Sequence, residues 1–379
     1  MNIRQFLFVA ALTAVCSADS AQPVEEKKPD RRVAGQKPAE MVLVEPNQIT
    51  PKAAADWQKE GFTSVVLVLD EKFDRENYLA AAKAVAAGSL ALYYWIEIGR
   101  NPKMAGEHPR WMASLGMHGD WMKRFPGAPK PGQDEVAKAF PWVPINYREA
   151  FEAHLERVKA LLDRAAGPYR GLLLDDLQGG PSSCGCGNLQ CRWATDYQVP
   201  TTGQKLEGDN AAAKFVTAVG RVVAGKQVIP VWTSECEDID LPANKRSAGK
   251  TTGLCGTVGC NVGSCPKEFA KQWSALLAGH QGPVGVLGLH QEFERTRGEL
   301  AVGTQWPARA MDYVDSTSAA NRGETAWRQR TWLVVQGYDV TPGEESAARQ
   351  AARQSGVGAV VVARTRINQS YEPKIVKVK

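Results

Sequence analysis

The chain has 379 residues, 44% of them hydrophobic and 23% charged, with a formal net charge of +5. That length suits one large barrel or two modest domains, and the balance of residue types is that of a soluble globular protein. The basic residues are spread along the chain with no basic run interleaved with aromatics, which argues against a nucleic-acid partner.

Residues 1–20 read as a signal peptide. Arg4 supplies a positive charge, Phe6 to Val15 an apolar stretch, and Ser17, Ala18, Ser20 and Ala21 the small residues of a cleavage site. Cleavage after Ala18 or Ser20 would deliver a secreted or periplasmic protein. Cys16 follows Val15 rather than a small residue, so ordinary cleavage is expected rather than lipidation. The apolar stretch is too short to span a bilayer, and no other apolar segment is long, so the mature chain is expected to have no integral membrane segment. Residues 21–39 are charged, contain proline and lack apolar periodicity, as in a flexible leader.

From residue 40 to 379 apolar strands alternate with helices. The first strand is Met41 to Val44, ending at Glu45. Thr50 and Pro51 then read as the N-cap and first residue of a helix. Ser64 to Leu69 is the second strand, ending at Asp70, and an alanine-rich helix follows over residues 74–87. Leu90 to Ile98 is the third, with Tyr93, Tyr94, Trp95 and Glu97. An excursion over residues 100–146 comes next, too long for a bare connection and therefore a candidate functional loop. It carries His108, Trp111, His118, Trp121 and Trp142. The helix after it should bury Phe151, Leu155, Val158 and Leu162.

The fourth strand is the sharpest feature of the chain. Gly171-Leu-Leu-Leu ends in Asp175 and Asp176, and Gly179-Gly180-Pro181 follows at once. After a helix bearing Phe215, Val219, Val222 and Val223, the fifth strand runs from Gln227 to Trp232, with Glu235 and Cys236 just beyond. A helix bearing Phe269, Trp273, Leu276 and Leu277 precedes the sixth strand, Pro283 to Leu289, which ends near Glu292. A further helix is expected at about residues 306–314. The seventh strand, Thr331 to Val335, ends at Tyr338 and Asp339. Thr341 and Glu344 then form a capping box around Pro342, and Gly358 to Ala363 is the eighth strand, ending at Arg364 and Arg366. Eight such units, with continuous apolar runs rather than alternating ones, predict an α/β fold: a single-domain (β/α)8 TIM-type barrel with long loop insertions. A doubly wound open sheet is the runner-up, but no glycine fingerprint follows the first strand.

Cys184, Cys186, Cys191, Cys236, Cys255, Cys260 and Cys265 fall in two clusters after the fourth and fifth strands. In an exported chain they are expected to form disulfides. Seven is odd, so one thiol is left over or a metal takes some of them. The repeated four-residue spacing of the second cluster departs from the paired C-x2-C of zinc sites, which ranks disulfides above zinc, and no metal or cofactor is assigned.

In a barrel the carboxyl ends of the strands converge on one face. Asp175, Asp176, Glu97, Glu235 and Asp339 are the candidate catalytic carboxylates there. Glu97, Asp175 and Glu235 each end a strand and precede a long insertion, while Thr341 is the better helix cap and leaves Asp339 available. Glu45 and Asp70 are expected to be structural. Strand alternation predicts that Asp175 faces inward and Asp176 towards the loop. Tyr94, Trp95, His108, Trp111, Trp121, Tyr338 and Arg364 are the candidate substrate-binding residues. Acids ringed by aromatics suit glycosidic-bond hydrolysis, where one carboxyl protonates the leaving oxygen and another attacks or activates water. The rival expectation is a non-catalytic exported barrel that binds a glycan or a partner, with the cysteines as staples. No P-loop, H-E-x-x-H or G-x-S-x-G motif is present.

The run Gly171-Leu-Leu-Leu-Asp175-Asp176, followed by Cys184-x-Cys186, resembles secreted (β/α)8 proteins of the hypothetical glycoside hydrolase type. In some of them a C-x-C-x2-C loop follows, whereas this chain has C-x-C-x4-C. The segment Glu107-His108-Pro109-Arg110-Trp111 is similar to the His-Pro-x-Trp segment of that group. The acids over strands four, five and seven are also similar to the Asp, Glu, Asp arrangement of amylase-type barrels, without their surrounding motifs. The resemblance implies a carbohydrate substrate or ligand and a glycosidase-like activity.

Overall fold

A computed structural model of the chain describes residues 37–113, 127, 130–145, 148–177, 211–233, 279–288, 325–367 and 372–377. The signal peptide, the leader up to residue 36, all the cysteines, Trp121, Glu235, Glu292 and the helices expected at 269–277 and 306–314 lie outside the described residues.

In chain order the strands are β1 Ala39–Val44, β2 Ser64–Val68, β3 Ala91–Glu97, β4 Glu135–Phe140, β5 Tyr169–Asp175, β6 Gln227–Thr233, β7 Val284–Gly288, β8 Thr331–Gln336, β9 Ala359–Ala363 and β10 Glu372–Lys377. Eight of them close into a barrel in the order β1-β2-β3-β5-β6-β7-β8-β9, and β9 pairs back onto β1. Every barrel pair is parallel. The expected (β/α)8 barrel is therefore the fold.

Closure sorts each strand into two faces. Met41, Leu43, Val66, Tyr93, Trp95, Leu173, Ile229, Val231, Trp332 and Val361 fill the interior. Their chain neighbours Val42, Val65, Tyr94, Leu172, Leu174 and Val360 pack outward under the helices. Both faces are apolar, which is why the strands read as continuous apolar runs. Rings take up much of the interior, where Tyr93 and Trp332 meet edge to face at 5.4 Å between centroids. β7 makes room with Gly285, at which a Cβ would lie 2.9 Å from Val231 Cγ2.

The helices α1 Pro51–Lys59, α2 Arg75–Ala87, α3 Pro102–Glu107, α4 Arg148–Leu162, α5 Ala211–Val222, α6 Thr325–Arg330 and α7 Pro342–Gln354 follow local signals. Thr50 Oγ1 accepts from Ala53 N at 3.1 Å ahead of Pro51. Thr341 and Glu344 form the reciprocal capping box. Caps of this kind are worth about 1 kcal/mol each. Two apolar stripes are rotated from expectation. α4 buries Ala150, His154, Val158 and Leu161, leaving Phe151, Leu155 and Leu162 only partly covered. Val222 of α5 stays exposed while Phe215, Val219 and Val223 are buried.

The excursion after β3 is more than a loop. α3 and the strand β4 build a small core of Met104, Ala105, Met112, Val143 and Ala150. The chain end returns to it: β10 pairs antiparallel with β4, from Glu372 opposite Phe140 to Lys377 opposite Glu135. Lys138 is buried in β4 and donates to the carbonyls of Met112 at 2.6 Å and Arg110 at 3.0 Å. Burial brings its amine down to about 8.

One buried ion cluster ties the barrel to its last helix. Glu40, on the outward face of β1, is 1% exposed and accepts from Arg349 and Arg353 of α7. Burial alone would raise the Glu40 carboxyl, but the hydrogen bonds and charges of Arg353 and Arg349 outweigh it and hold it below its ordinary value. A lowered carboxylate stabilises the fold above its unfolded value and loses that contribution as pH falls through the folded value. Arg349→Met is expected to cost about 3 kcal/mol near neutral pH, because it leaves a buried charge undercompensated. The deficit should shrink in acid, as the folded Glu40 takes up its proton. Urea denaturation of both proteins at pH about 7 and about 3.5 measures it; an equal deficit at the two values would contradict the assignment.

Candidate active site

The interior-facing alternation that puts Tyr93 and Trp95 inside the barrel also carries Glu97, the last residue of β3. On β5 the same alternation runs from Leu173 to Asp175. The two strands are hydrogen-bonded neighbours, and their register sets Glu97 directly opposite Asp175. Both therefore stand at the carboxyl edge of the barrel, with the fully buried Trp95 a layer beneath Glu97.

Asp176 departs from the expected alternation. Its φ is +60°, in the left-handed region that aspartate tolerates better than most residues. The strand ends at that point, so Asp176 is released from facing the loop. Its side chain is 1% exposed, and Asp175 is 0% exposed. Glu97, Asp175 and Asp176 each place a carboxylate oxygen within 4.8 Å of the others. Gly99 makes this turn possible: a Cβ there would lie 2.8 Å from the Asp176 carbonyl oxygen and 3.3 Å from Trp142 Cε3.

Burial pushes the Glu97 carboxyl up to about 7, opposed by the Arg100 cation and reinforced by the charge of Asp70. Arg100 stands 3.7 Å from the carboxylate, which keeps 19% of its side-chain exposure. Arg157 of α4 donates to the Glu97 carbonyl at 2.7 Å and grips Glu71 through two bonds of 2.6 and 3.0 Å. His154, one turn earlier, is buried and pushed down to about 3, first by burial and then by Arg157. It is thus neutral, and its Nε2–H donates to the Val143 carbonyl at 2.7 Å. Val143 N in turn donates to the Gly99 carbonyl at 2.8 Å. α4 therefore braces both the end of β3 and the end of the excursion. Arg100, Arg157 and His154 were not singled out from the sequence. The available signal was a histidine and an arginine, three residues apart, on a helix that must cover a barrel.

Several expected site residues are placed elsewhere. Tyr94 faces the helices, and its hydroxyl donates to the Ala166 carbonyl at 2.7 Å and accepts from Ala166 N at 2.9 Å. Its strand neighbours Tyr93 and Trp95 take the interior instead. Trp95 is closed off beneath the mouth, where it can floor a site but offers no open platform. Arg364 turns outward and binds Glu345 and Glu60. Asp339 is exposed and paired with Arg366, whose guanidinium lies 5.5 Å from the Tyr338 ring centroid. Tyr338 itself packs against the interior cluster. His108 and Trp111 stack at 3.8 Å between centroids beside the small core of the excursion. Of the acids expected to be structural, Glu45 pairs with Lys72 at 2.6 Å, and Asp70 accepts from Lys72 N at 2.8 Å.

No family model matches the chain, and no curated protein matches it in sequence. Some solved structures are similar to it at low identity. It is similar to a GH36 alpha-galactosidase from Geobacillus stearothermophilus in complex with stachyose, at 12% identity and a TM-score of 0.34, over 84% of this chain and 41% of that one. It is similar to a beta-galactosidase from the psychrophilic Marinomonas ef1, at 11% identity and a TM-score of 0.46, over 86% of this chain and 54% of that one. Dihydropteroate synthase from Thermus thermophilus is also similar, at 11% identity and a TM-score of 0.33, over 86% and 88% of the two chains. The chain thus spans about half or less of the two galactosidases. A fold does not fix a function, so function is argued from the site itself.

The raised Glu97 value has a thermodynamic consequence. A carboxyl whose folded value exceeds its unfolded one stabilises the fold at low pH and loses that contribution as pH rises through the folded value. Wild-type stability should fall between the ordinary glutamate value of 4.5 and about 7. Glu97→Gln, which cannot ionise, should lack this fall and melt higher than wild type above pH about 7. Melting curves of both proteins across that range test this; parallel pH dependence would reject a proton held by Glu97.

Proposed function

We propose that the protein is a glycoside hydrolase-like barrel acting on a poly- or oligosaccharide by carboxylate acid/base chemistry. The observation that carries the reading is the Glu97–Asp175 pair: two carboxylates in register on adjacent barrel strands, one of which keeps its proton to about 7. Hydrolysis of a glycosidic bond needs one carboxyl that holds a proton and a second that acts as nucleophile or base. Glu97 is the proton donor to the leaving oxygen, held in place through its carbonyl by Arg157. Asp175 is the nucleophile or base. Their close approach suits the retaining arrangement, in which carboxyl groups stand about 5 Å apart, better than the inverting one, which leaves room for a water. Asp176 completes the polar wall of the pair. With the leader read in the sequence, the setting we propose is secreted or periplasmic, with the cysteine loops stapled by disulfides.

Arg100 beside Glu97 favours one alternative, a barrel that binds a glycan without turning it over. The two are separated by screening the purified mature chain on polysaccharides and chromogenic glycosides, then testing variants on any substrate found. Asp175→Asn should lose on the order of 10²–10⁴-fold in kcat with the fold intact by circular dichroism. Glu97→Gln should remove the alkaline limb of the pH–rate profile that protonated Glu97 sets at about 7. Glycan binding with no turnover by the wild type would favour the binding barrel, and full activity of Asp175→Asn would refute the assignment.

A further inference from the structure

At the opposite end of the barrel lies a cavity. It opens at the amino-terminal mouth, between the starts of β3, β5 and β6 and the last turns of α2, and has a volume of about 680 Å³. That is within the range of small-molecule sites, about 300–1,000 Å³. One part of its wall is apolar, from α2 residues such as Ala86 and from Leu92. The polar part comes from Tyr93, Tyr169, Arg170 and Lys226. Among the described residues, no acidic one lines it.

The two cations stand together at one concavity, unlike Arg157, Arg349, Arg353 and Arg364, which pair with carboxylates. Arg170 and Lys226 make no ion pair among the described residues. Lys226 Nζ instead lies 5.2 Å over the Tyr169 ring. Arg170 is close enough to Tyr93 for its charge to oppose the upward push of burial on the phenol. Two unneutralised cations facing a concavity with apolar and aromatic walls attract a negative charge that carries an apolar body.

We propose that this cavity is a binding site for a small amphiphilic anion, an aromatic or short aliphatic phosphate or carboxylate, held by Arg170 and Lys226 with its apolar body against α2, Leu92 and Tyr169. The site is separate from the carboxylate pair and does not depend on the reading of that pair. It does touch the same strand, because Tyr93, Trp95 and Glu97 form one inward row along β3.

Phenyl phosphate, benzoate and inorganic phosphate are the probes, titrated calorimetrically into the full chain. Phenyl phosphate and benzoate should bind and inorganic phosphate should bind more weakly, since it has no apolar body. Arg170→Ala with Lys226→Ala should weaken phenyl phosphate by about tenfold or more, as expected for lost charge-assisted bonds. Ala86 is exposed on α2, so Ala86→Trp can fill the cavity without disturbing the core, and it should abolish binding while leaving the melting temperature unchanged. Failure of both organic anions to bind, equal binding of inorganic phosphate, or affinity unchanged in both variants would each overturn the proposal.

Discussion

The constraint on which the molecule depends is alternation inside a closed parallel barrel. Once Tyr93, Trp95 and Leu173 occupy the interior, strand geometry leaves no choice about the residues two positions further along. Glu97 and Asp175 must also face inward, and parallel register between β3 and β5 puts them side by side. The aromatic packing beneath them excludes water from below. A carboxyl pair in that position is desolvated by the same closure that stabilises the fold, and desolvation is the largest cause of the raised Glu97 value.

The price of that desolvation is met by structure outside the barrel proper. Arg157 of α4 binds the Glu97 carbonyl while Glu71 holds its guanidinium, and His154 of the same helix pins Val143. The excursion between β3 and α4 is thereby fastened at both ends, with Arg100 and Trp142 bridged across its neck. Among its described residues it has its own small core and the β4–β10 ribbon. Much of the remaining charge is structural. The Glu40–Arg349–Arg353 cluster and the Arg364 pairs lock α7 to β1 and α1.

Eight apolar runs alternating with capped helices were enough to determine the barrel, because burial on both faces of a parallel sheet leaves uninterrupted hydrophobic strands. The helix starts at Thr50-Pro51 and Thr341-Pro342 were equally legible, since a cap is a local hydrogen bond between residues three apart. The inward direction of Asp175 followed from alternation alone. Tertiary structure decided the rest. Which aromatic neighbour faces inward is a parity choice, and Tyr94 went to the helices once Tyr93 and Trp95 took the interior. Asp176 joined the acidic pair only because a left-handed turn packed against Gly99 ends the strand at that residue. Arg364 and Asp339 were claimed by ion partners 19 to 304 residues away in the chain. The pairing of β10 with β4 joins segments more than 230 residues apart. Such long-range pairings leave no local periodicity to read, because they are selected by shape and charge that exist only after the barrel has closed.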